Sequence, residues 1–390
     1  MGNGRYPLES LVTTTHNFTT MFNDVFKGKK VIITGNTGFK GTWLTLWLHH
    51  LGADIVGISK DIPTNPSLFE ELKLTDKIDH RFADICNLEE MKNIFKETQP
   101  DFVFHLAAQP IVSFSYEDPV STMNTNIMGT VNILESLRTL TKDCHAVMIT
   151  SDKCYDNVEW IWGYRENDAL GGKDPYSASK GAAELVIKTY FHSYFNKPDS
   201  KVKIVSVRAG NVIGGGDWAL NRIVPDCMRA WSENQKVKVR NPNSTRPWQH
   251  VLEPLSGYLR AAQVLFESKV KITGEPFNFG PNADQNHTVL ELLEAISTHW
   301  DFQTVEEKFM IESDTSFHEA GLLKLNCDKA LFHLQWKPVL DFKNTAHFTG
   351  SWYNTFYNIK DDNIFEFTSN QIQEYADQAR QKGLAWALNT

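Results

Sequence analysis

The segment Gly35-Asn36-Thr37-Gly38-Phe39-Lys40-Gly41 places three glycines, with two residues between each, after the β-branched run Val31-Ile32-Ile33-Thr34 and before an apolar stretch from Thr42 to Leu51. A strand that ends in such a loop and hands over to a helix has few uses. One glycine permits the tight turn, another lets backbone approach a pyrophosphate, and the last lets the helix lie close to the strand, while the helix N-terminus stabilises an anion. The loop therefore predicts a dinucleotide site built around Gly35, Thr37, Gly38, Phe39, Lys40 and Gly41.

The chain beyond the loop continues in the same pattern. Trp43, Leu44, Leu46, Trp47 and Leu48 cover much of a helix, as expected for one packed on a sheet, and Ile55-Val56-Gly57-Ile58 reads as a second strand. The same rhythm returns at Phe102 to Leu106, Ala146 to Ile149 and Val202 to Val207. Alternation of this kind predicts an α/β fold, a doubly wound parallel sheet of the Rossmann type. Beyond Arg208 the texture changes to Gly214-Gly215-Gly216, shorter elements and Pro-spaced loops, which predicts a smaller mixed α/β C-terminal domain for the substrate. The expected division is a polar tail over 1–27, a dinucleotide domain over 28–207 with about 248–275, a substrate domain over 208–247 and about 276–360, and a tail over 361–390.

Composition narrows the partners. The chain has 390 residues, 41% of them hydrophobic, enough for a large core, and 39 Lys and Arg against 47 Asp and Glu give a net charge of −8. That sign disfavours nucleic acid and leaves a small anionic ligand served by local cations. Cys86, Cys144, Cys154, Cys227 and Cys327 are scattered, with no disulfide-framework or metal-ligand spacing, so no metal site is expected. No run is apolar for long enough to act as a signal peptide or to span a bilayer, and a cytoplasmic protein is expected.

Tyr176 and Lys180 lie four apart and share one face of a helix. A nearby ammonium favours the phenolate of a tyrosine, making it a base for a substrate hydroxyl. Ser151 follows the strand Ala146 to Ile149, at the end of the sheet where sites form, and completes a Ser, Tyr and Lys set for hydride transfer. Asp152 and Lys153 come next, and loss of water needs such a pair, an acid for the leaving hydroxyl and a base for the neighbouring carbon. At the end of the second strand, Ser59 and Lys60 stand where an acidic residue would bind an adenosine ribose, which leaves the choice of NAD or NADP open. Asp84 is a candidate for the adenine edge or a loop cap.

At these residues the chain resembles the extended short-chain dehydrogenases and, among them, the CDP-glucose 4,6-dehydratases. The specific segments are Thr37 to Leu44, Ser151-Asp152-Lys153-Cys154-Tyr155-Asp156-Asn157, Trp162 to Glu166, Arg208 to Trp218 and Arg246 to Glu253. The resemblance implies NAD, with Ser59, Asp84, Ile85, Leu106, Ala107 and Ala108 beside it together with Tyr176 and Lys180. It also implies a nucleoside-diphosphate sugar near Gln109, Asn211, Arg222, Arg246 and His318, and a homodimer or homotetramer. In the implied cycle Ser151, Tyr176 and Lys180 serve oxidation at C4, Lys153 removes the C5 proton and Asp152 protonates the departing C6 hydroxyl. A lysine base must be neutral, for which burial and the neighbouring Lys180 are the expected causes. A 4-epimerase and a non-catalytic nucleotide-binding protein are the rival readings.

Overall fold

A computed structural model describes residues 21–239, 241–302, 304, 308–311, 322–360 and 363–388. Seven strands form the central sheet: β1 (Lys30–Thr34), β2 (Asp54–Ser59), β3 (Asp79–Phe82), β4 (Phe102–His105), β5 (Cys144–Ile149), β6 (Val202–Ala209) and β7 (Pro276–Phe279). Their spatial order is β7-β6-β5-β4-β1-β2-β3, and every neighbouring pair is parallel. The order reverses between β1 and β4, which is where a doubly wound sheet opens a crevice for a ligand.

Alternating side chains along each strand feed two separate apolar layers, because successive residues of a strand face opposite sides. Val31 and Ile33, with Phe102, Phe104 and Val205, join helix α1 (Phe39–His50) and a long helix at Leu252–Glu267. Ile32, Val103, Ala146 and Ile204 face the other way, toward the helices Leu88–Thr98, Gly129–Leu137 and Pro175–Tyr190. Polar caps set helix starts: Asp174 accepts from the Ser177 N–H at 2.9 Å, and Pro175 fills the first helical position.

The smaller region beyond β6 is built from two-stranded pieces. Val212–Ile213 pairs in parallel with Gln249–His250, Thr245–Arg246 pairs antiparallel with His287–Thr288, and Val237–Val239 pairs in parallel with Phe309–Ile311. It stands beside the ends of β5 and β6.

Three expected boundaries shift. Residues 21–27 are no polar tail, since Met21, Phe22 and Phe26 are buried. The segment from 276 does not open the second region, because Pro276–Phe279 closes the main sheet as its seventh strand. Nor is the stretch from 361 a tail: the helix Ile364–Gln381 buries Ile372, Tyr375, Ala376 and Ala379, and Trp386 behind it is fully buried. Trp386 stacks on Phe22 at 5.1 Å and on Tyr375 at 5.8 Å, so both ends of the described chain meet over Trp47 of α1. Glu253 fastens the same region, accepting from the Val339 and Leu340 N–H groups and the Tyr375 hydroxyl.

Trp386→Ala should therefore lower unfolding stability by about 3–5 kcal/mol, the range for emptying a large aromatic site. Urea unfolding followed by fluorescence would show it, and an unchanged midpoint would mean that the C-terminal segment is dispensable.

Candidate active site

The glycine loop is built as a close-packed corner. Gly35 has φ +76, and a Cβ there would lie 2.7 Å from the Ala107 nitrogen; at Gly41 it would lie 2.0 Å from the Gly35 oxygen. Only hydrogen at these two positions lets β1, the start of α1 and the segment after β4 meet. Leu106 donates its N–H to the Thr34 carbonyl at 3.1 Å and Ala107 donates to Thr34 Oγ1 at 3.3 Å, while Ala108 and Gln109 continue along the crevice. This corner, with Gly38 at the helix N-terminus and Phe39 in its first turn, is the cradle into which a pyrophosphate fits without a side chain in the way.

Ser59 is bonded within the glycine loop in this structure. Its hydroxyl donates to Asn36 Oδ1 at 2.8 Å and accepts from the Thr37 N–H at 3.3 Å, so it shapes the glycine loop from below. Thr37 Oγ1 donates to the Asp61 carbonyl at 2.7 Å. Lys60 is exposed. One Asp84 oxygen accepts from the Cys86 N–H at 2.8 Å, the loop-capping role, and buried Ile85 receives the Asn132 amide on its carbonyl at 2.8 Å.

Tyr176, Lys180 and Glu184 repeat every four residues along the helix Pro175–Tyr190 and are all buried. Glu184 takes the fork of Arg208, Nε to Oε1 at 2.9 Å and Nη2 to Oε2 at 2.8 Å, and accepts the hydroxyls of Thr150 and Ser206. Arg208 Nη1 reaches the Tyr155 hydroxyl at 2.7 Å, which itself donates to Asn278 Oδ1 at 2.8 Å. The helix carrying Tyr176 and Lys180 is thereby tied to β5, β6 and β7. Its other flank is held by Asn126, whose amide donates to Ser179 Oγ at 2.8 Å.

Ser151 caps the short turn Asp152–Cys154, accepting from the Lys153 N–H at 3.2 Å, and its own hydroxyl donates to Asp152 Oδ1 at 2.9 Å. The Asp152 carboxyl is buried and raised above its ordinary value by desolvation, against the opposing charges of Lys153 and Lys40. A Cβ on Gly210 would lie 2.9 Å from Asp152 Oδ2, so the chain after β6 passes this carboxyl closely. A cavity opens there, lined also by Pro247, Gln249, Gly280, Leu323 and Leu325.

Burial pushes the Tyr176 phenol up to about 12, with the Ser151 hydrogen bond and the Arg222 charge working against the rise. The sequence led us to expect a phenolate favoured by Lys180. The structure corrects this: Lys180 Nζ lies 6.0 Å from the ring centroid, and desolvation dominates. Lys180 is lowered to about 8 by burial and by the ammonium of Lys40, which is itself lowered to about 8 by burial and by Arg222. Lys40, expected only in the cofactor loop, thus contributes its charge to the catalytic centre.

The Gln109 amide donates to Thr122 Oγ1 at 2.8 Å and its side-chain oxygen accepts from the Ile111 N–H. Arg222 sits at the site in an ion pair with buried Asp217 at 2.9 Å, a residue that no local sequence pattern singles out. Asn211 accepts the Gln249 N–H on its carbonyl at 3.2 Å. Arg246 is buried and donates to the Thr245 carbonyl at 2.9 Å. His318 lies outside the described residues.

The family model described as GDP-mannose 4,6 dehydratase matches residues 32–348. The CDP-glucose 4,6-dehydratase of Salmonella typhimurium is 45% identical over 353 residues, 90% of this chain and 97% of that protein. Among solved structures, an epimerase from Methanothermobacter thermautotrophicus has a TM-score of 0.74 at 22% identity, covering 90% of this chain and 96% of that one. The dTDP-glucose 4,6-dehydratase from Bacillus anthracis, in complex with NAD, has a TM-score of 0.69 at 21% identity, covering 87% of this chain and 100% of that one. At such identities the structural likeness establishes the fold.

Lys40 and Lys180 are both lowered to about 8, so the ammonium share of each falls as pH rises through that value. Binding of a nucleoside diphosphate, followed by calorimetry, should therefore weaken as pH rises from 7 to 9, and Lys40→Met should flatten the dependence. A pH-independent affinity would remove both ammoniums from the anion's field.

Proposed function

The chain belongs to the GDP-mannose 4,6 dehydratase family, and from that premise we propose that it removes water from CDP-glucose to give CDP-4-keto-6-deoxyglucose, using NAD. The observation that carries the reading is the buried Ser151-Asp152 pair set against Tyr176, with Lys153 next in the chain. A simple oxidoreductase or 4-epimerase has no use for that second acid and base. The choice of the cytidine nucleotide is supported by the 45% identity to the Salmonella typhimurium enzyme.

The glycine corner fits NAD, with Gly35, Thr37, Gly38, Phe39, Lys40 and Gly41 at the diphosphate and Tyr176 and Lys180 at the reacting end. When bound, NAD supplies the acceptor for the C4 hydride and its return to C6. Tyr176 Oη takes the C4 hydroxyl proton and Ser151 holds that hydroxyl in place. Once C4 is a carbonyl, the C5 hydrogen is acidic, and Lys153 Nζ removes it. Asp152, whose proton affinity is raised by burial, gives a proton to the C6 oxygen, and water leaves. Arg222, Arg246 and Asn211 are assigned to the diphosphate and sugar, and His318 completes that assignment.

Self-association as a homodimer or homotetramer belongs to the same proposal. Phe114, Tyr116 and Val120, on short helices beside the catalytic helix, and Leu185 on that helix are exposed apolar side chains that a second copy would cover. The described helices include none long and apolar enough to cross a membrane. The five cysteines are free, and a cytoplasmic location is proposed with them.

Mass spectrometry of CDP-glucose incubated with the holoenzyme should show loss of one water. An unchanged mass with a new sugar epimer would replace this reading by the epimerase. Tyr176→Phe should lower turnover by roughly 100-fold or more, since the ring still packs but cannot accept a proton. Lys153→Met should accumulate reduced cofactor, seen by its near-ultraviolet absorbance, and normal turnover in that variant would deny Lys153 the role of base.

A further inference from the structure

Removal of water from a sugar asks more of a site than an acid. The departing oxygen keeps a hydrogen of its own, and that hydrogen becomes more acidic as the oxygen takes a second proton and the C6–O bond breaks. An acceptor aimed at it is bound more strongly in the transition state than in the bound substrate, which is the condition for acceleration.

The structure places such an acceptor on the cavity that Asp152 lines. Gln249 pairs with Val212 in the short parallel piece beyond β6, and its backbone N–H donates to the Asn211 carbonyl at 3.2 Å. Its side-chain Nε2 donates to the Phe279 carbonyl at the end of β7, also at 3.2 Å. A backbone carbonyl only accepts, so this bond fixes which end of the amide is nitrogen and turns Oε1 away from Phe279. Gln249 is 1% exposed, and no donor among the described residues reaches Oε1. A buried acceptor left in that condition is rare in folded proteins.

The chemistry of the cavity limits what can satisfy it. Asp152 and Gln249 are the two polar side chains among the described residues that line it, and the wall between them is Gly210, Pro247, Leu323 and Leu325 with their neighbours. Gly210 leaves Asp152 Oδ2 uncovered on that side, where a Cβ would lie 2.9 Å from it. Asp152 Oδ1 is already taken by the Ser151 hydroxyl at 2.9 Å. A metal cation would find one carboxyl and apolar walls, too few oxygens to hold it. An anion would meet an amide oxygen and a carboxyl, both of which repel it. A group that gives a hydrogen to Gln249 Oε1 and accepts one from Asp152 is a hydroxyl or a water, and the cavity has room for no more than one such oxygen.

We propose that this cavity receives the C6 oxygen of the sugar, first as the hydroxyl and then as the departing water, and that Gln249 Oε1 holds its hydrogen throughout. The proposal rests on the dehydratase reading above. When the C5 proton passes to Lys153, the electron pair of the C5–H bond moves toward C6. The C6–O bond breaks, its pair stays on oxygen, and the oxygen binds the Asp152 proton. The water formed holds one hydrogen from the hydroxyl and one from the carboxyl, and the carboxylate remains. Gln249 exchanges no proton; it directs the hydroxyl hydrogen away from Asp152, so that a lone pair of the oxygen faces the acid.

The test compares two leaving groups in the unmodified holoenzyme, Gln249→Met and Gln249→Leu. CDP-glucose loses water, whereas CDP-6-deoxy-6-fluoroglucose loses hydrogen fluoride. Fluorine has no hydrogen to give to Gln249 but can still take the Asp152 proton. Rates of both eliminations are read by mass spectrometry, with reduced-cofactor absorbance recorded alongside. The ratio of water loss to fluoride loss should fall by roughly 10- to 100-fold in both variants, the range for a lost hydrogen bond to a group gaining charge. Reduced cofactor should accumulate with CDP-glucose and not with the fluorinated sugar. A change that only disturbs the fold or displaces Asp152 slows both eliminations and leaves their ratio where it was, so an unchanged ratio would overturn the assignment. Loss of both reactions in both variants would overturn it too, since Gln249 would then serve the fold. If the unmodified enzyme eliminates neither leaving group, the dehydratase reading fails and this assignment with it. If it removes water and the ratio does not move, the assignment alone fails.

Discussion

The ion pair between Glu184 and Arg208 is the constraint on which the site geometry depends. Both side chains are almost fully buried, at 4% and 3% exposed, and two parallel hydrogen bonds join them. Taking two charges out of water is unfavourable, and such a pair holds only when its remaining donors and acceptors are met. They are met here by Thr150, Ser206, Tyr155 and the Glu166 carbonyl. Because Glu184 lies four residues beyond Lys180 and eight beyond Tyr176, fixing its direction fixes the rotation of the whole helix. Breaking one partner of a pair like this leaves an uncompensated charge, a loss of about 3–5 kcal/mol. The penalty makes the helix position close to all-or-none.

From that anchor the proton affinities follow by burial. Lys40, Lys180 and Arg222 face Asp152 and Asp217 in a region with little water, and desolvation leads in the shifts of Lys40, Lys180, Asp152 and Tyr176. Desolvation penalises whichever form is charged, so it lowers the lysines and raises the acid and the phenol together. The site thereby holds groups whose charged and neutral forms lie closer in energy than they would in water, which is the condition for passing protons at neutral pH. His105 shows the limiting case at the end of β4: burial and the Lys180 charge lower it to about 3, and its two nitrogens are taken up by Thr34 and Thr130. It supports the cradle without titrating.

The legible parts of the sequence were those written in local pattern. The glycine loop, five strands with β-branched or aromatic runs, and the four-residue spacing of Tyr176 and Lys180 could be read because neighbours in sequence are neighbours in space. Glu184 continues that spacing and was open to the same reasoning, but its meaning depends on Arg208, which reaches it from β6. Pro276–Phe279 is short and starts with proline, so nothing local marks it as the edge of the main sheet. The segments at both ends carry their apolar residues too sparsely to announce a buried face; Phe22, Trp47, Tyr375 and Trp386 become a cluster only after the chain has closed on itself. Ser59 stands out by its place after β2, yet its hydroxyl turns inward to Asn36, a direction that spacing does not encode.

The same closure explains how the Asp152 carboxyl is held in one place. Asp152 is bounded on one side by Ser151 and on another by Gly210, where any side chain would crowd its Oδ2. Its cavity is completed by Gln249, Leu323 and Leu325, which come from far along the chain. Tyr164 bridges to Leu325, stacks on Tyr155 at 5.1 Å and gives its carbonyl to Asn278 of β7. Asn278 in turn accepts the Tyr155 hydroxyl that Arg208 touches. The wall of this cavity and the anchor of the helix carrying Tyr176 and Lys180 are therefore parts of one polar network, so the same bonds hold Leu325, Tyr176 and Asp152 in place relative to one another.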